Sequence, residues 1–171
     1  MLKGGAGERE RLGWVLGTDW KMLSIILVLA LTLRLDFLIA SNFRIDADEG
    51  IVGLMAKHIL EGRGIPVFYY GQHYMGSFEA LVATLCFKLF GVSSVVLKCV
   101  PLFFSLVFVV LVYLLAYECG GRLSARLAGV FAAVSPVALV VWSAKARGGF
   151  IEVMVVGSLA LLLAVRAIKN N

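Results

Sequence analysis

The chain reads as an all-α membrane protein of about four transmembrane helices, with juxtamembrane amphipathic helices in its first extracytoplasmic loop. Three observations predict this. Hydrophobic residues make up 61% of the 171 positions and charged residues only 16%, where a soluble domain averages about 25% charged. Apolar runs long enough to cross a bilayer, for which a helix needs about 20 residues, recur along the chain. The basic residues between those runs obey a parity that fits only an even number of crossings.

The first run, residues 22–40, follows a basic N-terminal segment, residues 1–21, expected on the cytoplasmic side. Its length, and Arg34 and Asp36 near its far end, suit an uncleaved anchor better than a cleaved signal peptide, for which "LIAS" at 38–41 is a weak cleavage match. Arg34 and Asp36 either snorkel to the interface or pair with other helices, and sequence does not separate these readings. Three further spans are expected at 95–117, 125–144 and 149–166. The stretch "SFEALVATLCFKLFG", 77–91, is helical in character but short, and carries Glu79 and Lys88. Counted as a span, it would send Arg122, Arg126, Arg166 and Lys169 to the side opposite Lys3, Arg9, Arg11 and Lys21. The positive-inside rule therefore leaves it out, and residues 41–94 become one extracytoplasmic loop of a plasma-membrane protein.

Within that loop, residues 48–61 form an amphipathic helix with Ile51, Leu54, Met55 and Ile59 on one stripe and Glu49, Lys57, His58 and Glu61 off it. "GRG" at 62–64 breaks it, and Pro66 opens an extended aromatic passage, "VFYYGQHYM", suited to the headgroup level. A second juxtamembrane helix is expected at 77–90. The three cysteines, Cys86, Cys99 and Cys119, show no metal-ligand spacing and read as apolar fillers. The basic residues are scattered despite a net charge of +5, so a nucleic-acid surface is not expected.

Two polar islands carry the chemistry. In "DADEG" three carboxylates, Asp46, Asp48 and Glu49, fall within four residues. Asp46 with Glu49 three places on has capping-box spacing, and acids favour a helix N-terminus. The functional alternative makes Asp48 a general base or, with Asp46, a ligand for a divalent cation. Capping needs one acid, and three are present. Gln72 and His73, beside Tyr70, are either ordinary interfacial polar groups or contacts for a phosphate or sugar headgroup, with glycines at 71 and 76 allowing close approach. The second island, "AKARGGFIE" at 144–152, puts Lys145 and Arg147 on the side where cations are unexpected. Arg147 either snorkels or holds a phosphate bidentately. Glu152 lies one turn into the last span, where an acid is costly and therefore a functional candidate.

The stretches "DADEGIVGLMAKHILEG" (46–62), "PVFYYGQHYMGSFEA" (66–80), "KLFGVSS" (88–94) and "WSAKARGGFIE" (142–152), in this order, resemble the N-terminal part of polytopic, lipid-sugar-dependent glycosyltransferases of the GT-C class. The resemblance is nearest to the protein O-mannosyltransferase and aminoarabinose transferase (glycosyltransferase 39/83-like) group and covers about residues 20–166. It implies juxtamembrane helices in the first outer loop and a polyprenyl-phosphate-linked sugar as donor. It also implies a catalytic aspartate at Asp48 with Glu49 beside it. Lys145 and Arg147 would then meet the donor phosphate, with Tyr70, Gln72, His73 and Glu152 as further substrate contacts. The sequence departs from that pattern at two points. "GSFEA" stands where the aminoarabinose transferases carry "KP", and Gly148 stands near the place of their second-loop aspartate. Members of the class are also far longer, so the chain is expected to be a fragment or an N-terminal module. The competing expectation is a non-enzymatic membrane protein, such as a small transporter or assembly subunit.

Overall fold

The computed structural model describes residues 19–170, so the expected cytoplasmic segment 1–21 lies almost wholly outside the described residues. Six helices follow one another among the described residues: α1 (Trp20–Ala40), α2 (Ala47–Leu60), α3 (Phe78–Phe90), α4 (Ser94–Ala133), α5 (Val137–Trp142) and α6 (Phe150–Asn170). Among the described residues there is no strand beyond one isolated bridge, Phe68 to Gly76, which pinches the aromatic passage into a hairpin. Three helices among the described residues, α1, α4 and α6, are long and apolar enough to cross a membrane. The molecule is an all-α membrane protein.

α4 is not one rod. Gly121 sits at φ 76°, ψ −162°, outside helical space, and the chain turns back there. A positive φ costs glycine little and other residues more. The reversal brings Gly129 against Tyr113, so close that a Cβ on Gly129 would lie 3.0 Å from the tyrosine ring and 3.1 Å from Ile26 of α1. Small residues at 125, 129, 132 and 133 let this second arm nest against α1 and the first arm, around Ile26, Ala30, Val109 and Tyr113.

The second arm departs from the continuous helix expected over 125–144. It ends at Ala133, and helix resumes only at Val137. Pro136 explains the break, since it disfavours helix at Ser135 and supplies no N–H. An interrupted helix leaves carbonyls without donors, a serious cost where water is scarce. Arg34 meets it. Its guanidinium, 1% exposed, donates to the carbonyl oxygens of Ala133 at 3.3 Å and Ala132 at 3.4 Å, and to Ala30 of its own helix at 3.1 Å. Ser135 Oγ adds a bond to Ala132 O at 2.7 Å. Arg34 thus neither snorkels nor pairs with an acid; it caps a broken helix.

α2 and α3 pack on each other and on the start of α4 through Val52, Met55, Ala56, Ala80, Ala83, Phe87, Leu97 and Val100. Thr84 Oγ1 donates across the pair to Ala56 O at 3.2 Å. Gly91, at φ 85°, ends α3, and Ser93 caps α4 through Val96 N–H. This layer and the two chain reversals at 41–46 and 143–149 gather at one end of the bundle, called here the loop end.

Candidate functional site

The two polar islands, about a hundred residues apart in sequence, are each other's partners. The segment 145–149 is gripped alternately by side chain and by backbone. Lys145 Nζ lies 2.9 Å from Asp46 Oδ2, and Arg147 Nη2 donates to the same oxygen. Between and beyond them, Ala146 N–H donates to Glu49 Oε1 at 3.2 Å, and the amides of Gly148 and Gly149 both donate to Glu79 Oε2, at 2.6 and 2.9 Å. Three acids from the 41–94 loop therefore clamp five consecutive residues.

Glycine is required for the last part of this grip. Gly148 has φ +79°, and a Cβ there would come within 2.3 Å of the Met75 methyl and 3.2 Å of the Tyr69 ring. Gly149 follows at φ +108°. Successive amides turned to one side make a concave anion site, here filled by a carboxylate from the chain itself.

Asp46 does two tasks. Its Oδ1 accepts the Glu49 amide at 3.1 Å while Glu49 Oε2 accepts the Asp46 amide at 3.1 Å, a complete capping box. Burial pushes its pKa up, but the hydrogen bonds from Arg147, Lys145 and the Glu49 amide prevail and hold the carboxyl well below the usual range. Arg147 is correspondingly raised, first by its hydrogen bond to Asp46. The guanidinium also lies over the Trp142 ring, 4.7 Å from its centroid.

Glu49 is fully buried. Besides Ala146 N–H, its Oε1 takes Lys98 Nζ at 2.6 Å, and Lys98 is itself 1% exposed. Both oxygens are thus committed to structure. Asp48 is the opposite case, with a side chain 56% exposed and Arg147 Nε at 4.0 Å. Its backbone carbonyl accepts from Tyr69 Oη at 2.8 Å, which fixes this turn of α2 against the hairpin. Burial and the negative charges of Asp48 and Asp46 push the Tyr69 phenol up to about 12, so it remains a donor.

The remaining expected contacts are placed differently. Tyr70 Oη lies 3.1 Å from His58 Nδ1, toward the far part of α2. His73 is exposed and meets the Phe68 ring edge-on. Gln72 is half-buried with its side-chain oxygen unpartnered. Glu152 is 3% exposed, and neither of its oxygens has a partner. Lys98 and Glu79 stand outside the candidate site residues expected from sequence, Glu79 counting there only as a charge that disfavours a span. Both are ionisable residues flanked by apolar neighbours, the signal that had already drawn attention to Glu152.

A cavity of about 430 Å³ opens beside the clamp, lined by Arg44, Asp46, Glu49, Lys98 and Lys145 together with the end of α1. Asp46 and Asp48 are the expected ligands for a divalent cation. Asp46 has its Oδ2 engaged by two cations, and among the described residues no three His, Cys, Asp or Glu side chains converge in a metal-binding group.

Fold and site together define a helical membrane protein whose two polar islands interlock at one end of the bundle. No family model, curated protein or solved structure matches the chain.

Proposed function

We propose that the chain is a membrane glycosyltransferase, or a module of one, that moves a sugar from a polyprenyl-phosphate-linked donor to an acceptor at the extracytoplasmic face. One observation carries the reading: Asp48 is a solvent-open carboxylate on a helix already capped by Asp46, with a guanidinium 4.0 Å away. Capping thus accounts for Asp46 and leaves Asp48 without a structural task for its side chain.

In the proposed reaction Asp48 takes the proton of the acceptor hydroxyl as its oxygen bonds to the anomeric carbon. The bond from that carbon to the donor phosphate oxygen breaks, and the phosphate leaves with the electron pair. Lys145 and Arg147 are the cations at hand for the charge that develops on it. Glu49 holds the turn of chain that carries them. The topology that accompanies this function has four crossings: α1, the first arm of α4, its second arm continued by α5, and α6. The N-terminus is cytoplasmic in the plasma membrane, membrane lipids surround the helices, and no nucleic acid is involved.

The test is transfer of labelled sugar from a polyprenyl-phosphate donor in membranes. Asp48→Asn is expected to lower transfer by about 10²–10⁴-fold, the usual loss of a general base; equal transfer would remove Asp48 from the role. Orientation is tested by cysteine labelling. Single cysteines at Ser94 and Gly120, in a background without Cys86, Cys99 and Cys119, should react from opposite sides.

A second reading is supported by Arg34, Lys98 and Glu152, ionisable groups buried on membrane-class helices, a pattern that also marks transport pathways. Substrate-dependent flux in liposomes without transfer chemistry would favour that non-enzymatic protein.

A further inference from the structure

The cavity beside the clamp is not explained by the interlock of the two islands. Part of its wall is the last turn of α1 and the turn that follows, with Phe37 and Ala40 on the helix and Asn42, Arg44 and Ile45 beyond it. That turn runs against local preference. Asn42 and Phe43 lie in the left-handed region, at φ 52° and 50°, where a non-glycine residue needs outside support. Phe43 has it, since its amide donates to Leu38 O at 2.9 Å and its side chain packs on Leu38, Leu102 and Ala144. Arg44 leaves this turn exposed. Among the described residues neither its guanidinium nor the Asn42 carboxamide has a hydrogen-bond or ion-pair partner. Lys98, also in the lining, is 1% exposed, yet only Glu49 Oε1 meets its ammonium among the described residues, leaving two of three N–H donors unfilled. Arg44, Lys98 and Lys145 outnumber the lining carboxylates, Asp46 and Glu49, and Asp46 is also met by Arg147 from outside the lining. Free donors, surplus positive charge and an apolar wall at the end of a membrane-class helix suit an amphiphilic anion.

We propose that the cavity holds the phosphate of an anionic phospholipid from the leaflet that meets the loop end. The Arg44 fork takes the phosphate oxygens bidentately. The Asn42 amide and the unfilled Lys98 donors complete its shell, and Phe37, Ala40 and Ile45 cover the glycerol and the first methylenes of the acyl chains. Asp46 and Glu49 do not oppose the anion, because each is already matched by its own cation. A free phosphate satisfies the same donors but leaves the apolar wall uncovered. A lipid satisfies both, and α1, long and apolar enough to span, sets the site at the membrane surface. Bound there, the lipid ties the end of α1 to Lys98 at the start of α4 and to Lys145 in the clamped segment, so the loop end responds to the charge of the leaflet. Arg44 and Asn42 take no part in the sugar transfer proposed above, and the lipid site holds whether or not that transfer occurs.

Lipid binding is measured by native mass spectrometry of the full-length chain in detergent, titrated with phosphatidylglycerol or phosphatidylcholine. Phosphatidylglycerol should bind about 10-fold more tightly, the value of one charge-assisted hydrogen-bond set, and Arg44→Gln should remove the preference. Lys88→Gln takes one charge from α3 outside the cavity lining and should keep it. Equal loss in both variants would reduce the preference to net charge and overturn the site. Hydrogen exchange of the unsubstituted protein gives a reading that needs no variant. Amides of residues 42–46 should exchange more slowly in phosphatidylglycerol nanodiscs than in phosphatidylcholine ones, and equal exchange would overturn the proposal. Two further arms in phosphatidylcholine nanodiscs separate the sources of phosphate. Slowing by inorganic phosphate as large as that by phosphatidylglycerol would overturn the lipid in favour of a free anion. Slowing by polyprenyl phosphate, without any by phosphatidylglycerol, would overturn it by assigning the cavity to the transfer donor.

Discussion

The two ends of the helical bundle use the same ionisable groups in opposite circumstances. At the end where α1 begins, Asp19 meets Arg126 at 3.0 Å, and Glu118 meets Arg166 at 3.0 Å and Lys169 at 3.6 Å. The cations there are 40–44% exposed; Asp19 is itself buried, but around Glu118 water reaches both partners, and such pairs contribute little. At the loop end Glu49 and Lys98 are both sealed from solvent at 2.6 Å, and Asp46, Glu49 and Glu79 hold a whole turn of backbone. Buried charges of this kind cost much to desolvate, and removing one partner strands the other. The Glu118 cluster is therefore tolerant, and the loop end is a mutually dependent assembly.

The sharpest way to break this contrast is to remove Lys98. Lys98→Met leaves Glu49 buried and uncompensated, with an expected loss of about 3–5 kcal/mol in unfolding free energy. Pairing it with Glu49→Gln should recover a large part of that loss, measured by denaturant titration in detergent micelles. A loss no greater in Lys98→Met than at the opposite end would erase the distinction.

Next in size is Gly148→Ala, which places a Cβ at φ +79° against Met75 and Tyr69. A cost of about 1–3 kcal/mol is expected for the strained backbone, together with faster amide exchange at residues 146–149.

Dependence on pH sharpens the comparison without mutation. Asp46 is lowered by its hydrogen bonds, so its contribution is present above the ordinary carboxyl range and is lost as pH falls toward its folded value. Glu79 is raised, to about 8. Its contribution is therefore present below the ordinary value and is lost as pH rises toward 8. Thermal unfolding should pass through a maximum between these limbs, and Glu79→Gln should remove the alkaline one.

The smallest effect belongs to the tolerant cluster. Arg166→Gln should change stability by no more than ~1 kcal/mol, and less in high salt. A larger change would mean that the Glu118 cluster is as interdependent as the loop end.

Much of the architecture was legible from residue order alone. Apolar run length marks α1, α4 and α6 as membrane-class helices, because lipid forces every backbone group into an internal hydrogen bond. The spacing of Asp46 and Glu49 already specified a capping box, an interaction three residues long that needs nothing from the rest of the chain. Local chemistry of this kind is written where it acts.

Tertiary structure decided what those groups do beyond the first turn. Whether Lys145 and Arg147 face lipid, ligand or acid depends on which distant residues the fold delivers to them, and it delivers Asp46. Arg34 reads as a snorkelling or paired cation until the break at Ser135–Pro136 presents it with the carbonyls of Ala132 and Ala133. Glu79, an acid in an amphipathic stretch, acquires its meaning only when the Gly148 and Gly149 amides converge on it. The physical reason is common to all three. Sequence sets which charges must be neutralised in a low-dielectric bundle, and the packing of helices chooses the partner.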